Sequence, residues 1–221
     1  GNPDTDNTFN SNNPGERLIE FGFADNEFFQ VDTNGIRKND PTLYWDGTKL
    51  VASWSEFTTA LGNGTTKIML ADNIEYSGNY SLQKDVVIDL NGKSMTLPMI
   101  NIHTKTTIKN GTIDAGTAAY CALCTSSVQE NQLTINLENV NVINNISNGS
   151  TIKVRGGAIL NVKEGTIITG ENSYLGIECI ASTVNIKEGA EIYMNGTSSY
   201  NGCLVGVGGN GTINVSGGKG I

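Results

Sequence analysis

Basic side chains are the first shortage in this 221-residue chain: 14 Lys and Arg stand against 22 Asp and Glu, a formal net charge of −8. A chain with that balance carries no basic stripe for a phosphate backbone, which sets nucleic acid aside as a partner. The same acidity repels an anionic membrane or an anionic polysaccharide unless metal ions bridge them, and calcium stays open as such a bridge. No other cofactor is expected. The apolar runs are all far shorter than the roughly 20 residues of a membrane helix, so no transmembrane segment is expected. Charged residues are only 16% of the chain, too few for a disordered polyelectrolyte. Prolines number 4 and glycines 27, which suits many tight turns between short strands.

Cysteine is scarce as well. Cys121 and Cys124 form a C-x-x-C, but no second close pair and no nearby histidine completes a zinc site. All four cysteines, with Cys179 and Cys203, read as small buried apolar residues on strands. Cys179 and Cys203 fall in matching strands of adjacent repeats, so two neighbouring buried thiols are expected there.

Residues 1–15 are mostly Asn, Asp, Pro and Gly around one Phe and read as a flexible tether. Residues 16–52 carry Phe21, Phe23, Phe28, Phe29, Tyr44 and Trp45 and must pack on something. They read as an N-terminal lid of short strands and loops, with a hairpin-like turn at Asp46-Gly47. Ser53 and Glu56 then make a capping box, and Phe57, Ala60 and Leu61 share one helical face, the only convincing helix in the sequence. Lys67-Ile68-Met69-Leu70 is a first buried strand.

From there the chain repeats itself. Ile88-Asp89-Leu90-Asn91-Gly92, Thr107-Ile108-Lys109-Asn110-Gly111, Ile135-Asn136-Leu137-Glu138-Asn139-Val140, Leu160-Asn161-Val162-Lys163-Glu164-Gly165, Val184-Asn185-Ile186-Lys187-Glu188-Gly189 and Ile213-Asn214-Val215-Ser216-Gly217-Gly218 share one anchor pattern. The anchors fall at Gly92, Gly111, Val140, Gly165, Gly189 and Gly218, so their spacing changes from one repeat to the next. A loose period with strict short strands means stacked coils whose corners vary in length. A second apolar segment lies between anchors, so each coil holds at least two strands. Residues 53–221 therefore read as an all-β solenoid, a single right-handed parallel β-helix, with an antiparallel sandwich as the rival. A sandwich would join consecutive strands by tighter hairpins than these connections allow.

The run WSEFTTAL, IMLADNI, VVIDLNGKSMTL and TTIKNGTIDAG resembles the start of the pectate-lyase-like right-handed β-helix superfamily, and within it exported bacterial β-helix proteins. The resemblance covers residues 53–221 and is specific for fold. It implies lyases with clustered aspartates on calcium and an Arg or Lys base, or hydrolases with close aspartates, a His and an Arg-x-Lys. Neither set carries over: the sequence has no Asp-Asp pair, its one histidine is His103 and its arginines are Arg17, Arg37 and Arg155. Asp89 and Asp114 lie in neighbouring coils and are the nearest thing to the carboxyl pair, roughly 6.5–9.5 Å apart, of an inverting hydrolase. The bland reading, solvated turn and strand-edge aspartates, is preferred for them.

Two ligand-binding candidates remain. Lys153 and Arg155 flank Val154 on one outward face and would receive a carboxylate such as a uronic or sialic acid. Asn136, Asn161, Asn185 and Asn214 each sit between two inward apolar residues, so they should point outward and stack as an amide ladder. The expected function is a non-catalytic exported or cell-surface module, structural or glycan-binding, with polysaccharide or a cell-surface glycan as partner. Its expected place is outside the cell or on its outer surface, with a lipid on a residue lost before Gly1 as one means of attachment. The alternative is a polysaccharide lyase or glycoside hydrolase acting on acidic glycans. The last anchor strand has no covering segment after it, so either more coils follow in the natural chain or two copies meet end to end.

Overall fold

The computed structural model describes residues 46–220 apart from 118–119, 127–132, 147, 171–172 and 195–202, together with four short strands before them. The expected tether, residues 1–15, lies outside the described residues. The chain divides into two compact units, Gly1–Leu50 and Val51–Ile221. In the first, β1 (Arg17–Ile19), β2 (Phe29–Val31), β3 (Ile36–Arg37) and β4 (Asp40–Tyr44) pair antiparallel in succession. Asp46-Gly47 turns the chain from β4 into β5 (Lys49–Val51): Asp46 Oδ1 accepts the Thr48 N–H at 3.0 Å, and Gly47 takes φ 84°.

The second unit opens with α1 (Trp54–Gly62). Ser53 Oγ accepts the Glu56 N–H at 3.2 Å, and Glu56 reaches back to the Ala52 N–H at 2.7 Å, one residue before the usual capping-box partner. Lys84 Nζ donates to the Leu61 carbonyl at 3.0 Å, placing a cation at the negative end of the helix. Phe57, Ala60 and Leu61 join the same core as Ile68 and Leu70, and Trp54 stacks on Tyr76 at 4.4 Å.

Beyond α1 every strand pairs parallel with its equivalent in the next coil, which removes the antiparallel sandwich. Each coil that reaches row three carries three strands, one more than the minimum the sequence requires. Row one holds β6 (Lys67–Leu70), β9 (Val86–Asp89), the first halves of β12 (Thr106–Asp114) and β14 (Thr134–Ile143), then β16 (Ile159–Val162), β19 (Thr183–Ile186) and β22 (Thr212–Val215). Row two holds β7 (Ile74–Glu75), β10 (Ser94–Thr96), the second halves of β12 and β14, β17 (Ile167–Gly170), β20 (Glu191–Met194) and β23 (Lys219–Gly220). Row three is β8 (Tyr80–Leu82), β11 (Ile100–Ile102), β13 (Leu123–Thr125), β15 (Ser150–Arg155), β18 (Leu175–Ile180) and β21 (Cys203–Gly208).

The alternating pattern decides which side chains go inside. In row one Ile68, Ile88, Ile108, Leu137, Val162 and Ile186 stack in register and are buried. Met95, Ile113, Val142, Ile168 and Ile192 do the same in row two, and Ile100, Leu123, Ile152 and Ile177 in row three. The bend between rows one and two needs a left-handed residue: Asn91, Asn110 and Asn139 sit there at φ 51°, 59° and 50°, followed by Gly165 at 72° and Gly189 at 76°. Asn and Gly tolerate that backbone because neither sets a bulky Cβ branch against the next carbonyl. Backbone register sets Ile88 against Ile108, which makes the first coil slightly longer than Gly92 and Gly111 imply, because the Asn91–Lys93 turn shortens to Asn110 in the next coil.

Candidate functional site

Three surfaces of the solenoid concentrate polar side chains. The first is the outward face of row one. Asn136, Asn161, Asn185 and Asn214 are register partners, and each amide bonds its neighbour. Asn161 donates to Asn136 at 2.9 Å, Asn185 to Asn161 at 2.8 Å and Asn214 to Asn185 at 2.8 Å. Asn136 continues the chain to the Thr107 hydroxyl at 3.3 Å. An amide has two N–H groups and two carbonyl lone pairs, so each inner rung keeps one of each for water or a ligand hydroxyl. Beside the ladder run paired charges: Lys109 meets Asp89 at 3.3 Å and Lys163 meets Glu138 at 2.5 Å.

The second surface is the bend itself. Asp89, Asn91, Asn110, Thr112, Asn139 and Asn141 line a groove of about 490 Å³. Asn139 donates to Asn110 at 3.2 Å, and Asn110 donates in turn to Asp89 at 3.1 Å. Asp89 also accepts the Asn91 N–H at 2.9 Å. Asp114, by contrast, lies in row two opposite Thr96, where it accepts the Gly116 N–H at 2.8 Å. The two aspartates of the hydrolase alternative thus sit on different rows, each engaged locally. His103 is exposed at the end of β11. Among the described residues no three His, Cys, Asp or Glu side chains gather as a metal set.

The third surface is the outward side of row three, which carries Lys153 and Arg155. Val154 does point into the core, but Lys153 is only 8% exposed. Its ammonium pairs with Glu178 at 2.8 Å and lies 4.9 Å from the centre of the Tyr120 ring. The Ser150 hydroxyl donates to the other Glu178 oxygen at 2.9 Å. Lys153 is therefore committed to a carboxylate of its own chain. Arg155 is half-buried, and its Nε has no hydrogen-bond partner among the described residues. Lys153 and Arg155 share row three while the asparagines share row one, so the candidates form two faces. Glu178 and Tyr120 were not singled out from the sequence. The signal was present: Lys153 and Glu178 stand as far apart along the chain as the anchors Val140 and Gly165.

The cysteines depart from expectation at two points. Cys121 and Cys124 are buried as expected but joined as a disulfide, their Cα atoms 6.2 Å apart. Cys179 is a buried thiol that contacts the Ser182 carbonyl at 3.2 Å, and burial pushes its pKa up. Cys203, however, pairs with Leu175, while Cys179 faces Val207, so the two are not register partners.

Three parallel rows, a left-handed Asn or Gly bend and a helix at the first coil define a parallel β-helix of the pectate-lyase-like kind. Residues 48–173, more than half of the chain, match the family described as "Putative pectate lyase-like adhesive domain", and the chain belongs to that family. No curated protein and no solved structure matches the chain. No helix among the described residues is long and apolar enough to cross a membrane.

Proposed function

We propose that this domain is a non-catalytic adhesive module of the cell surface or the extracellular space, a stiff rod that holds polar faces against a glycan. The amide ladder carries this reading. Its four rungs repeat at the coil spacing of about 4.8 Å and brace one another, so the spare N–H and lone pair on each inner rung stand in fixed positions. A ligand meeting groups already held in place loses little to their ordering. Membership of an adhesive-domain family supports the same reading. The polar groups nearest to a hydrolase pair, Asp89 and Asp114, are engaged with Lys109, Asn110 and local backbone instead of each other. A glycan array on the purified chain, run beside an absorbance assay for unsaturated uronides, tests the proposal. Retention of a glycan class without product release is the expected result. Uronide release that is lost in Asp89→Asn with Asp114→Asn would overturn it in favour of a lyase or hydrolase.

A further inference from the structure

Tyr120 and Tyr174 are 54% and 43% exposed. They occupy one column of the solenoid. The Ser150 N–H donates to the Tyr120 carbonyl at 3.0 Å, and the Tyr174 N–H donates to the Gly149 carbonyl at 2.7 Å. Tyr120, Gly149 and Tyr174 therefore follow one another in three successive coils, at the corner leading into row three. At about 4.8 Å per coil the two tyrosines stand roughly 9.6 Å apart along the axis. Gly149 between them has no side chain, and a Cβ there would run into the Tyr120 carbonyl oxygen, so the gap is imposed by the backbone. The Cys121–Cys124 disulfide secures the chain directly after Tyr120. Beside the column, Lys153, Glu178 and Ser150 form the bonded polar group described above, with the Lys153 ammonium over one face of the Tyr120 ring.

We propose that this column binds an uncharged, extended 1,4-linked glycan laid along the helix axis, with alternate sugar rings stacked on Tyr120 and Tyr174. The proposal rests on the adhesive glycan-binding reading and adds to the amide ladder a second, separate contact face. The separation of the tyrosines is close to the rise of a disaccharide in such a chain. Tyrosine offers an apolar face to the C–H side of a sugar and a hydroxyl to its rim. Glu178 supplies carboxylate lone pairs for sugar hydroxyls next to the stack. Charge argues for a neutral polymer: the Lys153 ammonium is matched by Glu178, and a net charge of −8 disfavours a polyanion.

Calorimetric titration of the full chain with cellohexaose, mannohexaose and chitohexaose, against hexagalacturonate as the acidic comparator, tests the site. At least one neutral hexasaccharide should bind, with its disaccharide about ten-fold weaker because it spans a single ring. Tyr120→Ala and Tyr174→Ala should each weaken binding about ten-fold, while Tyr120→Phe and Tyr174→Phe stay within about three-fold of the parent. Circular dichroism of each variant confirms an unchanged fold, as these rings lie at the surface. Tyr193→Ala, an aromatic residue on row two, should bind as the parent does. Binding by the parent that survives both alanine substitutions refutes this site and leaves the adhesive module standing. Binding of hexagalacturonate alone also refutes it, and a chain that retains no glycan of any class refutes both.

Discussion

Removing one rung from the middle of the asparagine ladder should cost more than removing its end, and two adjacent rungs should cost less than their sum. Asn161 makes two amide bonds, to Asn136 at 2.9 Å and from Asn185 at 2.8 Å, and is partly buried. A neutral hydrogen bond contributes about 1 kcal/mol net, so Asn161→Ala should lose about 2 kcal/mol. Asn214 is exposed and makes a single rung bond, so Asn214→Ala should lose about 0.5–1 kcal/mol. Asn161 and Asn185 share one bond, which each single variant counts. The double variant breaks three rung bonds and should fall about 1 kcal/mol short of the sum of the singles. Asn136 and Asn214 share no bond and stand three coils apart, so their effects should add within about 0.5 kcal/mol. Urea unfolding followed by circular dichroism, with midpoints compared at unchanged m, reads all of these differences. Strict additivity of Asn161→Ala with Asn185→Ala would show that the amides do not bond each other and would refute the reasoning.

Two further perturbations test the corner that presents Tyr120. Gly149→Ala brings a Cβ against the Tyr120 carbonyl oxygen and to 2.7 Å from Ile146 Cγ2, and overpacking of this kind should cost about 3 kcal/mol in the same unfolding assay. Gly92→Asn is its control: a Cβ at Gly92 meets nothing within 4 Å, and asparagine already holds the neighbouring left-handed bends, so the midpoint should hardly move. Cys121 and Cys124 should resist alkylation in denaturant until reduced, whereas Cys179 should label as soon as the chain unfolds. Because the loop they close is so short, reduction should lower stability by about 2 kcal/mol. Mass spectrometry that finds Cys121 and Cys124 alkylated without reductant would remove the disulfide.

Much of the fold was legible because its rules are local. Alternation in Leu160-Asn161-Val162 and its equivalents decides which side chains face in, and that alone puts Asn136, Asn161, Asn185 and Asn214 in one outward column. Ser53 with Glu56 starts the helix through bonds to its own first turn, and the Asn or Gly of each bend marks a backbone conformation that other residues resist. The third strand per coil was harder to read. Row two begins in β7 with only Ile74 and Glu75, and in β12 and β14 it runs on from row one without a break, so no separate apolar segment announces it.

What the tertiary structure decided is who stands opposite whom across a corner of variable length. Lys153 meets Glu178 because the coil that separates them has the same length in row one and in row three, where Leu137 pairs with Val162 and Ile152 with Ile177. The coil before it is uniform in the same way, with Ile108 against Leu137 and Leu123 against Ile152, and together the two place Tyr120, Gly149 and Tyr174 in one column. In the next coil the rows part company: row one advances from Val162 only to Ile186, while row three advances further, from Leu175 to Cys203. The extra length enters between rows two and three, and it carries Cys203 away from Cys179. The sequence determined the inward and outward faces and the bends, since these depend on neighbours along the chain. Pairing between coils depends on where each corner stores its extra residues, and only the stacked coils settle that.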